Sequence, residues 1–236
     1  MTLLLIVRPE PGNARSVAAA RAMGLEARGV PLFAVEPLAW DPPDPARFDA
    51  VLLGSANALR HGRGGLDRYK ALPVYAVGAT TAAAARQAGF AVAVTGKGGL
   101  QALLPQLAAD GCSRVLRLSG EAHVPLDPPP GVTVETAVVY AARPLPLPAA
   151  AVPPGGCVVA LHSGEAARHF AAECARLGLD RATIALACLA PRVAEAAGAG
   201  LQGGGWAEVR VAPTDEVALL ALARDMCQNA ALRDHG

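Results

Sequence analysis

One stretch of this chain is written twice. Val51 to His61, VLLGSANALRH, aligns with Val159 to His169, VALHSGEAARH, matching Val, Leu, Ser, Ala, Arg and His at one constant offset. Each copy opens as an apolar run, passes through Ser and small residues, and continues with helical spacing, which is the order strand, turn, helix. The next units recur more faintly: Val77-Gly78-Ala79-Thr80-Thr81-Ala82 against Leu189-Ala190-Pro191-Arg192-Val193-Ala194, and Gly98 to Leu104 against Thr214 to Leu220. A β-α series present in two copies restricts the fold to an α/β protein of two similar lobes, each a parallel sheet flanked by helices.

The wider pattern agrees. Strands are expected at 3–7, 26–33, 50–54, 73–77, 91–94, 114–118, 132–139, 157–161, 184–188 and 208–212. Helices are expected at 13–23, 56–61, 80–88, 99–109, 164–177, 191–198 and 215–228, with 229–236 fraying. Two proline-rich seams, Pro37 to Pro45 and Pro144 to Pro154, flank the first copy. Proline cannot donate to a ladder and stiffens the chain, so seams of this kind suit crossings between lobes. The adjoining segments around Phe33 to Glu36 and Val138 to Ala141 are expected to pair as a two-stranded antiparallel linker covering 35–39 and 137–145. That leaves 40–136 as one lobe and joins 1–34 to 146–236 as the other, discontinuous one.

Composition excludes several classes. Lys and Arg number 21 against 20 Asp and Glu, so no basic face for nucleic acid follows, and any anion must be held locally. The five cysteines are scattered without a C-x-x-C pair, which fits reduced cytoplasmic thiols better than a disulfide frame or a zinc site. No apolar window approaches the roughly 20 residues of a membrane span. The apolar start before Arg8 is also too short for a signal peptide. The expectation is a cytoplasmic protein.

Ligands of parallel sheets bind beyond the carboxyl ends of the strands, where following helices offer unpaired N–H groups. Here those ends carry Arg8-Pro9-Glu10-Pro11-Gly12, Gly54-Ser55, Gly78-Ala79-Thr80-Thr81, Gly96-Lys97-Gly98-Gly99, Ser119-Gly120, His162-Ser163-Gly164, Ala190-Pro191-Arg192 and Pro213-Thr214. Glycines and hydroxyls leave room for a bulky anion and donate to it without fixed charge. The same Ser55, Thr81, Ser163 and Thr214 are also ordinary N-cap types, each able to satisfy an orphan amide of its own helix. Arg8 either faces the ligand as a fixed cation or pairs with Glu10 or a helix end. Tyr140, on the expected linker, is either a weak acid reaching the cleft or a packing residue.

Other constellations are missing. Neither G-x-G-x-x-G nor G-x-x-x-x-G-K-[ST] occurs, which disfavours dinucleotides and nucleoside triphosphates. No H-E-x-x-H suggests a metal, and no G-x-S-x-G elbow suggests a hydrolase.

Taken in order, "LIVRPEPGNA", "FDAVLLGSANAL", "VYAVGATTAAAARQAGF", "VLRLSGE", "VVY", "VVALHSGEAARHF", "ACLAPRVAEAA" and "VAPTDEVALLALA" resemble the uroporphyrinogen-III synthase family across nearly the whole chain. The resemblance implies two α/β lobes on a two-stranded linker. It also implies a reaction in which linear hydroxymethylbilane loses water, its terminal pyrrole ring is inverted, and the macrocycle closes as uroporphyrinogen III with neither cofactor nor metal. Carried over, the family's tyrosine matches Tyr140, which would assist departure of the hydroxyl. Its substrate-binding positions match Ser55, Gly78, Thr81, Gly120, Ser163, Pro213 and Thr214, with Arg8 as an added cation. The implied partner is the small-molecule linear tetrapyrrole, taken by a monomer in transient contact with the preceding enzyme of the pathway.

One motif departs from the family's usual Ile-Gly-Pro-x-Thr-Ala: this chain has Leu189-Ala190-Pro191-Arg192-Val193-Ala194, losing a hydroxyl at Val193. The same lobes, hinge and anion cleft would also suit a non-catalytic module that binds a carboxylated metabolite or tetrapyrrole. Formation of the type III isomer separates the two.

Overall fold

The computed structural model describes residues 2–62, 64–198, 203–213 and 215–233. The backbone groups into two units, one formed by Met1–Ala34 with Pro144–Gly236 and the other by Val35–Arg143.

The first unit holds strands β1 (Leu4–Ile6), β2 (Ala27–Gly29), β9 (Cys157–Leu161), β10 (Ile184–Cys188) and β11 (Glu208–Val211), in the order β11-β10-β9-β1-β2. All four pairings are parallel. Its helices are α1 (Gly12–Ala22), α5 (Gly164–Leu177), α6 (Pro191–Ala196) and α7 (Glu216–Arg233). Period-two alternation sends Leu4, Ile6, Val158 and Ala160 into a core with Ala20 of α1 and Leu219, Leu220, Ala223 and Met226 of α7. On α5, Phe170 stacks on Trp206 at 5.9 Å. β1 and β9 are buried on both faces, which is why they read as unbroken apolar runs.

The second unit holds β4 (Ala50–Leu53), β5 (Val74–Ala76), β6 (Val92–Thr95), β7 (Arg114–Gly120) and β8 (Thr133–Pro144), with helices α2 (Ala56–His61), α3 (Ala79–Gln87) and α4 (Leu104–Ala109). With β3 (Phe33–Pro37) the sheet order is β3-β8-β7-β4-β5-β6. Pairings from β8 through to β6 are parallel. Leu38 N donates to Val139 O at 3.0 Å, so β8 carries β3 along its later residues while its earlier ones pair β7. Val51 and Leu53 of β4 pack with Ala58 of α2 and Ala82 and Ala85 of α3, whereas Ala50 and Leu52 pack with Leu104 and Leu107 of α4. Every residue of β4 is fully buried. Each such leucine contributes roughly 1.5–3 kcal/mol.

The two sheets share one topology. Read outward from β4 and from β9, β6-β5-β4-β7-β8 corresponds to β11-β10-β9-β1-β2, so the repeated sequence occupies equivalent strands and helices in both units. The expected bounds of α2, α5, β9 and β10 hold as read. Others shift for local reasons. The run expected at 26–33 divides into β2 and β3 around Pro31, which has no N–H for the ladder. The helix expected at 99–109 is a 3₁₀ turn at Gln101–Leu103 followed by α4, with Pro105 in its first turn. Residues 229–233, expected to fray, continue α7, while 234–236 lie outside the described residues.

Candidate functional site

The carboxyl edge of the second unit encloses a cleft of about 390 Å³. Its wall comes from the ends of β4 (Gly54, Ser55) and β7 (Arg117, Ser119), from Tyr140 on β8, from the Gly98-Gly99 turn before α4, and from His123 and Val124 in the loop after β7. The cleft has room because side chains are missing at chosen points. A β-carbon on Gly54 would stand 2.9 Å from Leu100, and one on Gly120 would stand 2.6 Å from the Tyr140 ring.

The sequence-expected residues of this unit divide into those in the cleft and those beside it. Ser55 lines the cleft and also caps α2, its hydroxyl accepting from Asn57 N at 3.2 Å. The capping reading of that serine therefore holds, and its residue also borders the cleft. Tyr140 lines the cleft with its ring 6.3 Å from that of His61. Gly120 is buried beneath it, paired across the ladder with Tyr140 at a bulge. Gly78 starts α3 in extended backbone, and Thr81, two residues into that helix, is 6% exposed. Neither lines the cleft.

Two cleft residues escaped the sequence reading. Arg117 is 4% exposed, on the face of β7 that also carries Val115 and Ser119, directly across from Leu52 of β4. Its Nη1 donates to Val124 O at 2.9 Å, and its Nε is enclosed with no partner. Burial pushes this guanidinium's pKa down, opposed by the nearby Tyr140. His123 turns its ring back on the chain, Nδ1 donating to Gly120 O at 2.8 Å, which directs Nε2 elsewhere. The only sequence signal for Arg117 was one cation inside the apolar run VLRLSG.

In the first unit the equivalent edge carries an ion pair. Arg8 Nη1 lies 2.7 Å from Glu216 Oε2, and its guanidinium rests over Gly12, where a β-carbon would stand 2.6 Å from Nε. Glu216, not Glu10, is thus the partner; the Glu10 carboxylate accepts from Ala14 N at 3.1 Å. Ser16 Oγ and His162 Nε2 also donate to Glu216, at 2.5 and 2.9 Å. Burial acts to raise the Glu216 pKa, but those two hydrogen bonds and the charges of His162 and Arg8 outweigh it and hold it at about 2. Ser163 is exposed and caps α5, accepting from Ala166 N at 3.2 Å. Pro213 is exposed after β11; Thr214 lies outside the described residues. Val193, at the departure from the family motif, is 1% exposed and faces the core of its unit.

Among the described residues no three His, Cys, Asp or Glu side chains gather where they could hold a metal ion, and no helix is long and apolar enough to cross a membrane.

With this geometry in place, comparison with known proteins is specific. The family model described as uroporphyrinogen-III synthase HemD matches residues 14–218. No curated relative matches the sequence. The crystal structure of uroporphyrinogen-III synthetase from Helicobacter pylori is similar with a TM-score of 0.66 at 18% identity, covering 96% of this chain and 100% of that one. A mutant uroporphyrinogen III synthase from Thermus thermophilus is similar with a TM-score of 0.54 at 13% identity, covering 97% and 99%. At these identities the likeness is one of fold.

Proposed function

We propose that this chain, which belongs to the uroporphyrinogen-III synthase family, is the enzyme that closes linear hydroxymethylbilane to uroporphyrinogen III, with loss of water and inversion of the terminal pyrrole ring. The observation that carries this reading is the family match across residues 14–218.

The chemistry asks for little machinery. The hydroxyl must leave with a proton, the two ends of a flexible chain must meet, and an inverted ring must be favoured over simple closure. Tyr140 lines the cleft with its phenol over Gly120, and in this reading it gives a proton to the departing hydroxyl. The remaining groups of the cleft bind and orient. Ser55, Ser119 and the turn at Gly98-Gly99 offer hydroxyls and open backbone to acetate and propionate arms, while Leu100, Leu118 and Leu126 exclude water around a pyrrole. Holding a floppy substrate in one folded geometry is itself a large part of the barrier. Arg8, Gly78, Thr81, Ser163, Pro213 and Thr214 stand in this reading as further binding positions.

In this reading the protein works in the cytoplasm as a monomer that meets the enzyme supplying its substrate only transiently. Support for that compartment comes from five free cysteines, all buried. Expression in a bacterial strain that lacks its own synthase and requires haem tests the function: growth without haem is expected, and no growth despite folded protein in the cells counts against it.

A further inference from the structure

The feature that the reaction as written does not use is the guanidinium of Arg117. It is 4% exposed, and among the described residues no carboxylate is paired with it. The contrast with the other unit is direct. Arg8 is less buried and yet held by Glu216 at 2.7 Å. Nor does the repeat call for a cation at this place. Val51 of β4 is opposite Leu116, and its repeat equivalent Val159 of β9 is opposite Leu5, so Arg117 corresponds to Ile6, an ordinary core residue. A buried cation without a counter-charge is costly, and its persistence here, in a strand whose twin manages with isoleucine, needs an anion from outside the chain.

The hydrogen bonding says which edge would meet that anion. Nη1 is engaged by Val124 O, and Nε is enclosed without a partner. The guanidinium's other edge, Nε and Nη2, has two parallel N–H groups at the spacing of a carboxylate's oxygens. Around it the cleft wall is Gly98, Gly99, Ser55 and Ser119, with no acidic side chain.

We propose that Arg117 is a carboxylate-binding residue in the cleft of the second unit, taking one acid arm of the substrate side-on through Nε and Nη2 and so fixing the orientation of the pyrrole that carries it. The proposal rests on the synthase reading for the identity of the acid, but its physical content is a carboxylate site.

Two measurements test it separately from that reading. First, protein labelled with ¹⁵N-arginine is titrated with acetate and propionate, with chloride as a control for ionic strength. A saturable shift of the Arg117 Nε–H resonance with both carboxylates and not with chloride is expected; its absence overturns the site, whether or not the protein is an active synthase. Second, Arg117→Gln and Arg117→Lys are compared with the wild type on hydroxymethylbilane. KM is expected to rise at least about tenfold in Arg117→Gln, the cost of one charged hydrogen-bonded pair, with a smaller fall in kcat. Arg117→Lys, a point charge without the fork, is expected to recover only part of it. The melting temperature of Arg117→Gln is expected to hold or rise, since an unpaired buried charge is removed. A large drop in melting temperature with unchanged KM in the folded protein would make Arg117 a structural residue and overturn the proposal. Should the wild type prove inactive on hydroxymethylbilane, the synthase reading fails while the titration still decides the site.

Discussion

The Tyr140 ring occupies the place a side chain on Gly120 would take: a β-carbon there would stand 2.6 Å from Cε2, 2.7 Å from Cζ and 3.0 Å from the phenol oxygen. Gly120 ends β7 and pairs with Tyr140 across a bulge, so the bare α-carbon is what lets the phenol lie against it in the cleft wall. Gly120→Ala is therefore expected to push the ring aside, lowering kcat by about tenfold or more at a cost in stability of roughly 1–3 kcal/mol. Parallel measurement of kcat and melting temperature checks it; full activity in a folded variant would free Tyr140 from this geometry.

Tyr140→Phe keeps the ring and removes only the proton. A loss of about 10²-fold in kcat, with KM nearly unchanged, is expected if the phenol assists departure of the hydroxyl. Steady-state kinetics with fresh substrate make the test, and undiminished turnover would discard the acid role.

Acid should loosen the first unit through Glu173. This carboxylate accepts from Arg176 at 2.7 and 2.8 Å and from Leu147 N at 2.7 Å. The Arg176 hydrogen bonds, then that of Leu147, hold its pKa at about 2, well under the ordinary 4.5. Because the folded value is the lower one, the unfolded chain binds more protons in this window. The contribution to stability is complete above about 4.5 and disappears as pH falls toward 2. Glu173→Gln should cost about 1–3 kcal/mol at neutral pH, with a gap that narrows as the medium is acidified. Urea midpoints between neutral and acid pH measure it, and a gap constant across that range would contradict it.

Two glycines of the first unit separate backbone strain from collision. Gly156 has a φ of 80°, and a β-carbon there would run into the Thr183 carbonyl. Gly178, with a φ of 64° at the end of α5, has nothing within 4 Å. Gly178→Ala is expected to cost about 1 kcal/mol, the left-handed penalty alone. Gly156→Ala is expected to cost about 3 kcal/mol or more, since overpacking adds to it. Thermal unfolding of the two variants decides, and equal losses would refute the distinction.

Much of the fold was legible because it is local. Apolar runs alternating with alanine-rich helical spacing placed the strand-helix order, and Ser55 and Ser163 marked the starts of α2 and α5 as the caps they are. What stayed hidden depends on partners distant in the chain. Glu216 lies 208 residues from Arg8, so nothing near Arg8 announced the ion pair that holds it. Arg117 is a cation in the buried part of its strand, and its meaning comes only from the ladder, which sets it opposite Leu52, and from the loop that brings Val124 O to its Nη1. That loop, Glu121 to Pro130, has neither helical nor strand period, so His123 and Val124 could not be placed at the cleft by pattern.

The measurement that bears most directly on the account is the isomer made by purified wild-type protein from freshly prepared hydroxymethylbilane, with the products oxidised and separated by chromatography. Type III product, formed faster than the substrate closes on its own, is predicted. Only type I product, at the spontaneous rate and from protein shown to be folded, would contradict it.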